Sequence, residues 1–101
     1  MVVRIGGPVC VSEYAFPGTK ELANNVCHAL ADRKAVLIRN HGAVGVGENL
    51  NEALEICMLT ERVAQIFVYS SLLGKVLPIP EDIVDVEVAL YRMRQDAHQQ
   101  K

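Results

Sequence analysis

The stretch AVLIRNHGAVGVGENLNEAL, Ala35 to Leu54, decides the fold, because a strand signal, a turn signal and a helix start follow one another within it. Ala35 to Ile38 is a short unbroken apolar run, as required of a strand buried on both faces. Asn40, His41 and Gly42 follow with turn chemistry, since Asn and Gly both tolerate positive φ and let the chain reverse. Ala43 to Val46 then reads as a second strand. Asn49 stands three residues before Glu52, a capping-box-like start in which the acid can return a bond to the cap. The segment predicts a strand, a tight turn and a strand feeding a long helix.

Downstream, Leu50, Ala53, Leu54, Cys57, Ala64, Phe67, Val68 and Leu72 keep a helical period as far as Gly74, a suitable terminator. Glu61 interrupts this stripe, so partial burial and an ion pair with Arg62 or a bond from a backbone donor are expected for it. Pro78 and Pro80 break the chain, and a last helix over about 81–95 shows Ile83, Val86, Leu90 and Met93 on one side. The tail DAHQQK is expected to fray. Upstream, Thr19 can cap a helix over about 20–33, with Leu22, Ala23, Val26, Cys27, Ala29 and Leu30 on its packed face. Glycines and prolines between residues 6 and 17 leave room for one short strand near Val9 to Val11. No repeat or low-complexity tract divides the chain, so residues 1–101 read as a single domain.

Composition narrows the function classes. Half of the residues are hydrophobic and 22% are charged, which favours an ordered globular fold with apolar surface to spare for association. Ten basic against twelve acidic side chains give a net charge of -2 with no run of one sign, and this excludes a nucleic-acid stripe and disfavours a membrane surface. No segment is expected to reach the roughly 18–20 apolar residues of a membrane span. Cys10, Cys27 and Cys57, an odd number without a C-x-x-C pair, suit reduced thiols in a cytoplasmic protein, each as a small core residue.

Gly42, Gly45 and Gly47 ahead of a helix suggest a phosphate loop, but Leu50 occupies the place of a third fingerprint glycine and no Lys-Ser or Lys-Thr pair follows. A turn and close strand packing explain these glycines better. His41 stays open between a hydrogen-bonded turn residue and a metal ligand, because zinc needs three or four protein donors and spacing supplies no others near it. Glu61 has a second reading beside the ion pair, as a carboxylate supporting a metal ligand. Tyr14 reads as an aromatic packed beside a turn.

The run YAFPGTKELANNVCHALADRKAVLIRNHGAVGVGENLNEALEICMLTERVAQIFV resembles the second half of class II aldolase/adducin-type domains, nearest to the L-fuculose-phosphate-aldolase-like branch. Tyr14, Gly18-Thr19, Glu21-Leu22-Ala23, the Lys34 to Ile38 strand, Asn40-His41-Gly42, Asn49-Leu50, Ala53-Leu54 and Glu61 occur in the family's order, over most of residues 6–80. The resemblance implies an α/β fold, part of an α/β/α layered architecture around a central, mainly antiparallel sheet. Here that fold would be an N-terminally truncated version with three main helices.

Active members of that family cleave or epimerise small phosphosugars with a divalent metal, usually zinc, held by three histidines. The resemblance places His41 on the third of these. The other two histidines, the catalytic glutamate, the phosphate loops and the tyrosine acid belong to the family's upstream part, so Tyr14 does not inherit the acid role and no catalytic residue is assigned. A truncated frame, an excised fragment or a half whose partner carries the remainder is the expectation, and the isolated chain is expected to be inactive and not to bind zinc stoichiometrically. A homo-oligomer is expected as well, because a sheet with missing strands leaves edges and apolar faces open. The alternative is a non-catalytic association module, as in the adducin branch.

Overall fold

The computed structural model describes residues 2–99. In chain order it comprises α1 (Val2–Ile5), β1 (Cys10–Ser12), α2 (Lys20–Leu30), β2 (Ala35–Ile38), β3 (Gly42–Gly45), α3 (Leu50–Leu73) and α4 (Glu81–Gln99). The three strands form one sheet in the order β1-β2-β3. The β1 strand runs parallel to β2, pairing Cys10 with Val36 and Ser12 with Ile38. The β2–β3 pair is antiparallel, from Ala35 opposite Gly45 to Ile38 opposite Gly42. The sheet is therefore mixed, and α2, α3 and α4 are the three main helices.

Successive strand residues point to opposite faces, and both Ala35 and Val36 are buried, so the central strand is covered on both sides. On the Ala35 side lie Ile5 from α1 and Ile56 from α3, with Val9 and Leu59 packed around them. The α2 helix packs on β1 and β2. This is an α/β layered arrangement, and β2 reads in sequence as the doubly buried strand it is.

Both helix caps form where the sequence puts them. Thr19 Oγ1 accepts from the Leu22 amide at 3.2 Å and Asn49 Oδ1 accepts from the Glu52 amide at 2.9 Å. The Glu52 carboxylate, however, takes the amide of Glu48 at 2.9 Å and not that of the cap residue, while its other oxygen pairs with Lys34. The α2 helix stops at Leu30, short of Arg33, because Ala31 turns into the left-handed region at φ 53°. The α1 turn has no counterpart in the sequence reading. It is held from outside, with the Lys34 amide donating to Ile5 O at 2.8 Å and Arg4 bonded to Glu55 of α3.

Several packing expectations are corrected. On α3 the buried residues are Ile56 and Thr60, whereas Leu50, Leu54, Phe67, Val68 and Leu72 of the expected stripe are exposed, because the sheet covers only the side of the helix that carries Ile56 and Thr60. On α4, Ile83, Val86, Leu90 and Met93 are exposed and Tyr91 is buried instead. A Cβ on Gly6, whose φ is 102°, would lie 2.6 Å from the Tyr91 ring, so this glycine lets α4 close on the N-terminal segment. The Tyr91 hydroxyl donates to Asp32 O at 2.8 Å. Helix α4 continues through Gln99, past the point where fraying is expected, with His98 beside Glu48 at 3.8 Å; residues 100 and 101 lie outside the described ones. None of the three free cysteines is a core residue: Cys27 and Cys57 are exposed and Cys10 is half-buried. Finally, α3 is long and apolar enough to cross a membrane by length and composition, against the expectation that no segment would be, because its apolar residues surround the helix rather than forming one seam.

Candidate functional site

His41 sits at the β2–β3 reversal. Its amide donates to Ile38 O at 2.9 Å, and Asn40, third of the four turn residues, takes φ 64°, a value Asn tolerates better than most residues with a Cβ. The turn lifts the imidazole clear of the sheet, where it is exposed.

An open groove of about 750 Å³ lies against this turn, lined among others by Leu37, His41, Cys57, Thr60 and Glu61. Its strand wall comes from β2 and the turn, its helical wall from successive turns of α3. The spacing Cys57, Glu61, Ala64 places these residues on one face of the helix, toward the groove. Glu61 also lines a neighbouring groove of about 590 Å³ with Arg4, Glu55 and Arg62, and so stands on the ridge between the two. It is exposed and forms no ion pair among the described residues, so the partly buried carboxylate, partnered by Arg62 or a backbone donor, that is expected for it is not what the fold makes. The fold does bring Glu61 and His41, twenty positions apart in sequence, to the walls of one groove.

The glycines of this region are filled from behind. A Cβ on Gly45 would lie 2.6 Å from Cys57 Sγ and 3.1 Å from Ala53 O, so β3 and α3 touch through the missing side chain. That contact is close strand–helix packing and leaves no phosphate cradle. The Thr60 hydroxyl donates to Ile56 O at 2.8 Å, so its proton is not free for a ligand in the groove.

Tyr14 and Arg39 were not assigned to the site on the sequence, and the structure puts both beside His41. The Tyr14 ring stacks on the imidazole with centroids 5.9 Å apart and planes 9° from parallel. Arg39, also on the groove wall, lies 3.9 Å from the carboxylate of Glu13, the residue before Tyr14. The signal was present as an aromatic in a turn-rich loop, but only the parallel β1–β2 pairing carries that loop to the His41 turn.

Charge is organised on another side of the molecule. Hydrogen bonds from Lys34 and then from the Glu48 amide hold the Glu52 carboxyl below its ordinary value, and burial pushes the Tyr91 phenol up, with the Asp32 and Glu52 charges adding to it. These groups fasten α3 and α4 to the base of β2 and take no part in the groove.

Zinc holds three or four protein donors in a tight shell. Among the described residues no group of three His, Cys, Asp or Glu side chains is placed to hold a metal. The described residues do not make a zinc site by themselves.

Residues 1–68 match the model of the class II aldolase and adducin N-terminal domain, a span that contains Tyr14, His41 and Glu61. The chain belongs to the class II aldolase and adducin family. Within it, the chain is 33% identical over 82 residues to the 5-deoxy-D-ribulose 1-phosphate aldolase of Bacillus thuringiensis serovar kurstaki, covering 80% of this chain and 38% of that protein. It is 32% identical over 83 residues to the L-fuculose phosphate aldolase of Escherichia coli K12, covering 81% and 39%. A solved structure of an L-fuculose 1-phosphate aldolase superposes with a TM-score of 0.81 at 33% identity, over 90% of this chain and 43% of that one. The chain thus spans about two fifths of the length of these class II aldolases. The family and the α/β fold expected from the sequence are both borne out.

Proposed function

We propose that this chain supplies the His41 side of a metal-dependent site for retro-aldol cleavage, or epimerisation, of a small sugar phosphate. The observation that carries the reading is the placement of His41 on an exposed turn at a groove whose opposite wall holds Glu61. His41 is one metal ligand, with zinc as the metal the family resemblance favours, and Glu61 is the carboxylate that supports it; the remaining ligands and the proton-transfer groups come from outside this chain. The relatives' names point to ketose phosphates, since both ribulose and fuculose derivatives are ketoses, and a ketose 1-phosphate is the substrate class proposed here. Residues 1–101 act as a single domain, the C-terminal portion of a class II aldolase-type unit, in a cytoplasmic homo-oligomer.

The test combines the purified chain with the N-terminal portion of an L-fuculose phosphate aldolase and zinc, and follows aldehyde release from a ketose 1-phosphate. Activity that is lost in His41→Ala supports the reading. A stable complex with bound zinc but no cleavage, or equal cleavage by His41→Ala, overturns it.

A second reading, a non-catalytic association module of the adducin type, draws on a different observation. Phe67, Leu72, Leu73 and Leu77 leave the C-terminal part of α3 and the turn after it apolar and exposed. Sedimentation showing an oligomer that persists in His41→Ala and never cleaves substrate would favour this reading over the first.

A further inference from the structure

We infer that Tyr14 is a positioning residue for His41: the segment Glu13 to Phe16 is a strap that holds the phenol ring in parallel, offset contact with the imidazole and limits its rotation beside the groove. The inference deepens the metal-site reading above and rests on it only for the purpose of the clamp, not for its existence.

A histidine at the apex of an exposed turn ordinarily samples several rotamers, and a metal ligand that must be ordered on binding loses affinity through that entropy. Here the ring meets a parallel aromatic face at a centroid distance of 5.9 Å, within the range of offset stacking. Tyr14 is itself half-exposed, so its own burial does not explain where it sits. Its backbone does. Asn25 of α2 donates its side-chain amide to Glu13 O at 3.3 Å, and the Glu13 carboxylate faces Arg39 at 3.9 Å. Ala15 is buried, and the Thr19 hydroxyl donates to Phe16 O at 2.7 Å. The residues flanking Tyr14 are therefore tied to α2, to the end of β2 and to the α2 cap, which leaves the ring little choice but to lie over the turn.

The chemistry of the stack matches the proposed task. An electron-rich phenol face attracts an electron-poor ring, and an imidazole that has given its lone pair to a cation is such a ring. Stacking therefore orients the free ligand and favours its metal-bound form. The phenol oxygen is not needed for either effect, so phenylalanine should serve in its place and an aliphatic side chain should not.

The experiment is NMR of the full chain with labelled histidine and tyrosine rings, on the wild type and on Tyr14→Phe and Tyr14→Leu. In the wild type, cross-relaxation between the two rings and an upfield shift of the His41 ring protons are expected, independently of any variant. Tyr14→Phe should keep the upfield shift and the slow ring motion; Tyr14→Leu should lose both, while His28 and His98 stay unchanged. Absence of ring–ring cross-relaxation in the wild type, or equal His41 ring mobility in Tyr14→Leu, overturns the clamp. Zinc added to the same samples, each mixed with the N-terminal portion of an L-fuculose phosphate aldolase that supplies the remaining ligands, separates the two ideas. No preferential perturbation of His41 while the ring contact is intact counts against the metal reading alone, whereas a His41 response that weakens several-fold in Tyr14→Leu and not in Tyr14→Phe supports both.

Discussion

The first turns of α3 and its last turns share one helix but not one environment. Ile56 is 1% exposed beneath the sheet, and Leu73, on the same helix, is 90% exposed. Both are aliphatic residues in a helix whose apolar content hardly changes along its length. What differs is the neighbour: the face of the helix that carries Ile56 and Thr60 lies against the sheet, and beyond Thr60 no residue of α3 is buried. A helix's apolar residues state only a need for burial, and the partner decides which of them have it met. The site lies at the boundary between these regimes, with Cys57 and Thr60 at the edge of the packed part and Glu61 and Ala64 at the start of the open part.

That contrast is best broken with paired substitutions. Ile56→Ala should destabilise the chain by about 2–5 kcal/mol in urea unfolding, the usual result of emptying a packed aliphatic site, whereas Leu73→Ala should stay within about 0.5 kcal/mol. Similar losses for both would mean that the far end of α3 is packed after all. The glycines at the two ends offer the next largest effect. Gly45→Ala forces a methyl against Cys57 Sγ and the Ala53 carbonyl, and should destabilise by about 1–3 kcal/mol in the same assay. Gly74, which has nothing within 4 Å of an added Cβ, should accept Ala with little change.

A smaller effect is sharpened by pH. The Glu52 carboxyl is held below its ordinary value of 4.5, chiefly by its bond from Lys34. A carboxyl with a lowered folded-state pKa stabilises the fold above its unfolded value, and that stability is lost as the pH falls through the folded value. Glu52→Gln should therefore melt lower than the wild type at neutral pH, and the gap should close through the acid range below 4.5. A gap that stays constant with pH would show that the Lys34–Glu52 pair does not anchor this end of α3. Smallest of all for stability is Phe67→Gln with Leu73→Gln, expected to leave the melting midpoint almost unchanged. Its consequence belongs to association: sedimentation should show a lower average mass if the exposed face joins copies of the chain.

Much of the candidate site was legible before the fold. The NHG turn, both capping residues and the AVLI strand carry their own local chemistry, and each forms where the sequence places it. Glu61 was singled out because a carboxylate broke an apolar stripe, but its setting was misjudged, since burial depends on what faces the helix. Tyr14 was read as packing beside a turn, and the turn it packs on proved to be the one that carries His41. The stripe of α4 was misread for the same reason as that of α3: Ile83, Leu90 and Met93 have the right period, and the helix docks by Tyr91 instead. The α1 turn, four residues long, has too little sequence to show any period and is ordered by Lys34 and Glu55.

The sequence by itself determined where the chain turns, where α2 and α3 begin and which family it belongs to, because turns, caps and strand runs depend on residues within a few positions of each other. Only the tertiary structure decided that β1 lies parallel to β2, that Tyr14 stacks beside His41, and that α3 is packed at Ile56 and Thr60 and open beyond them. Those are pairings between distant segments, set by which surfaces remain available once the local elements have formed.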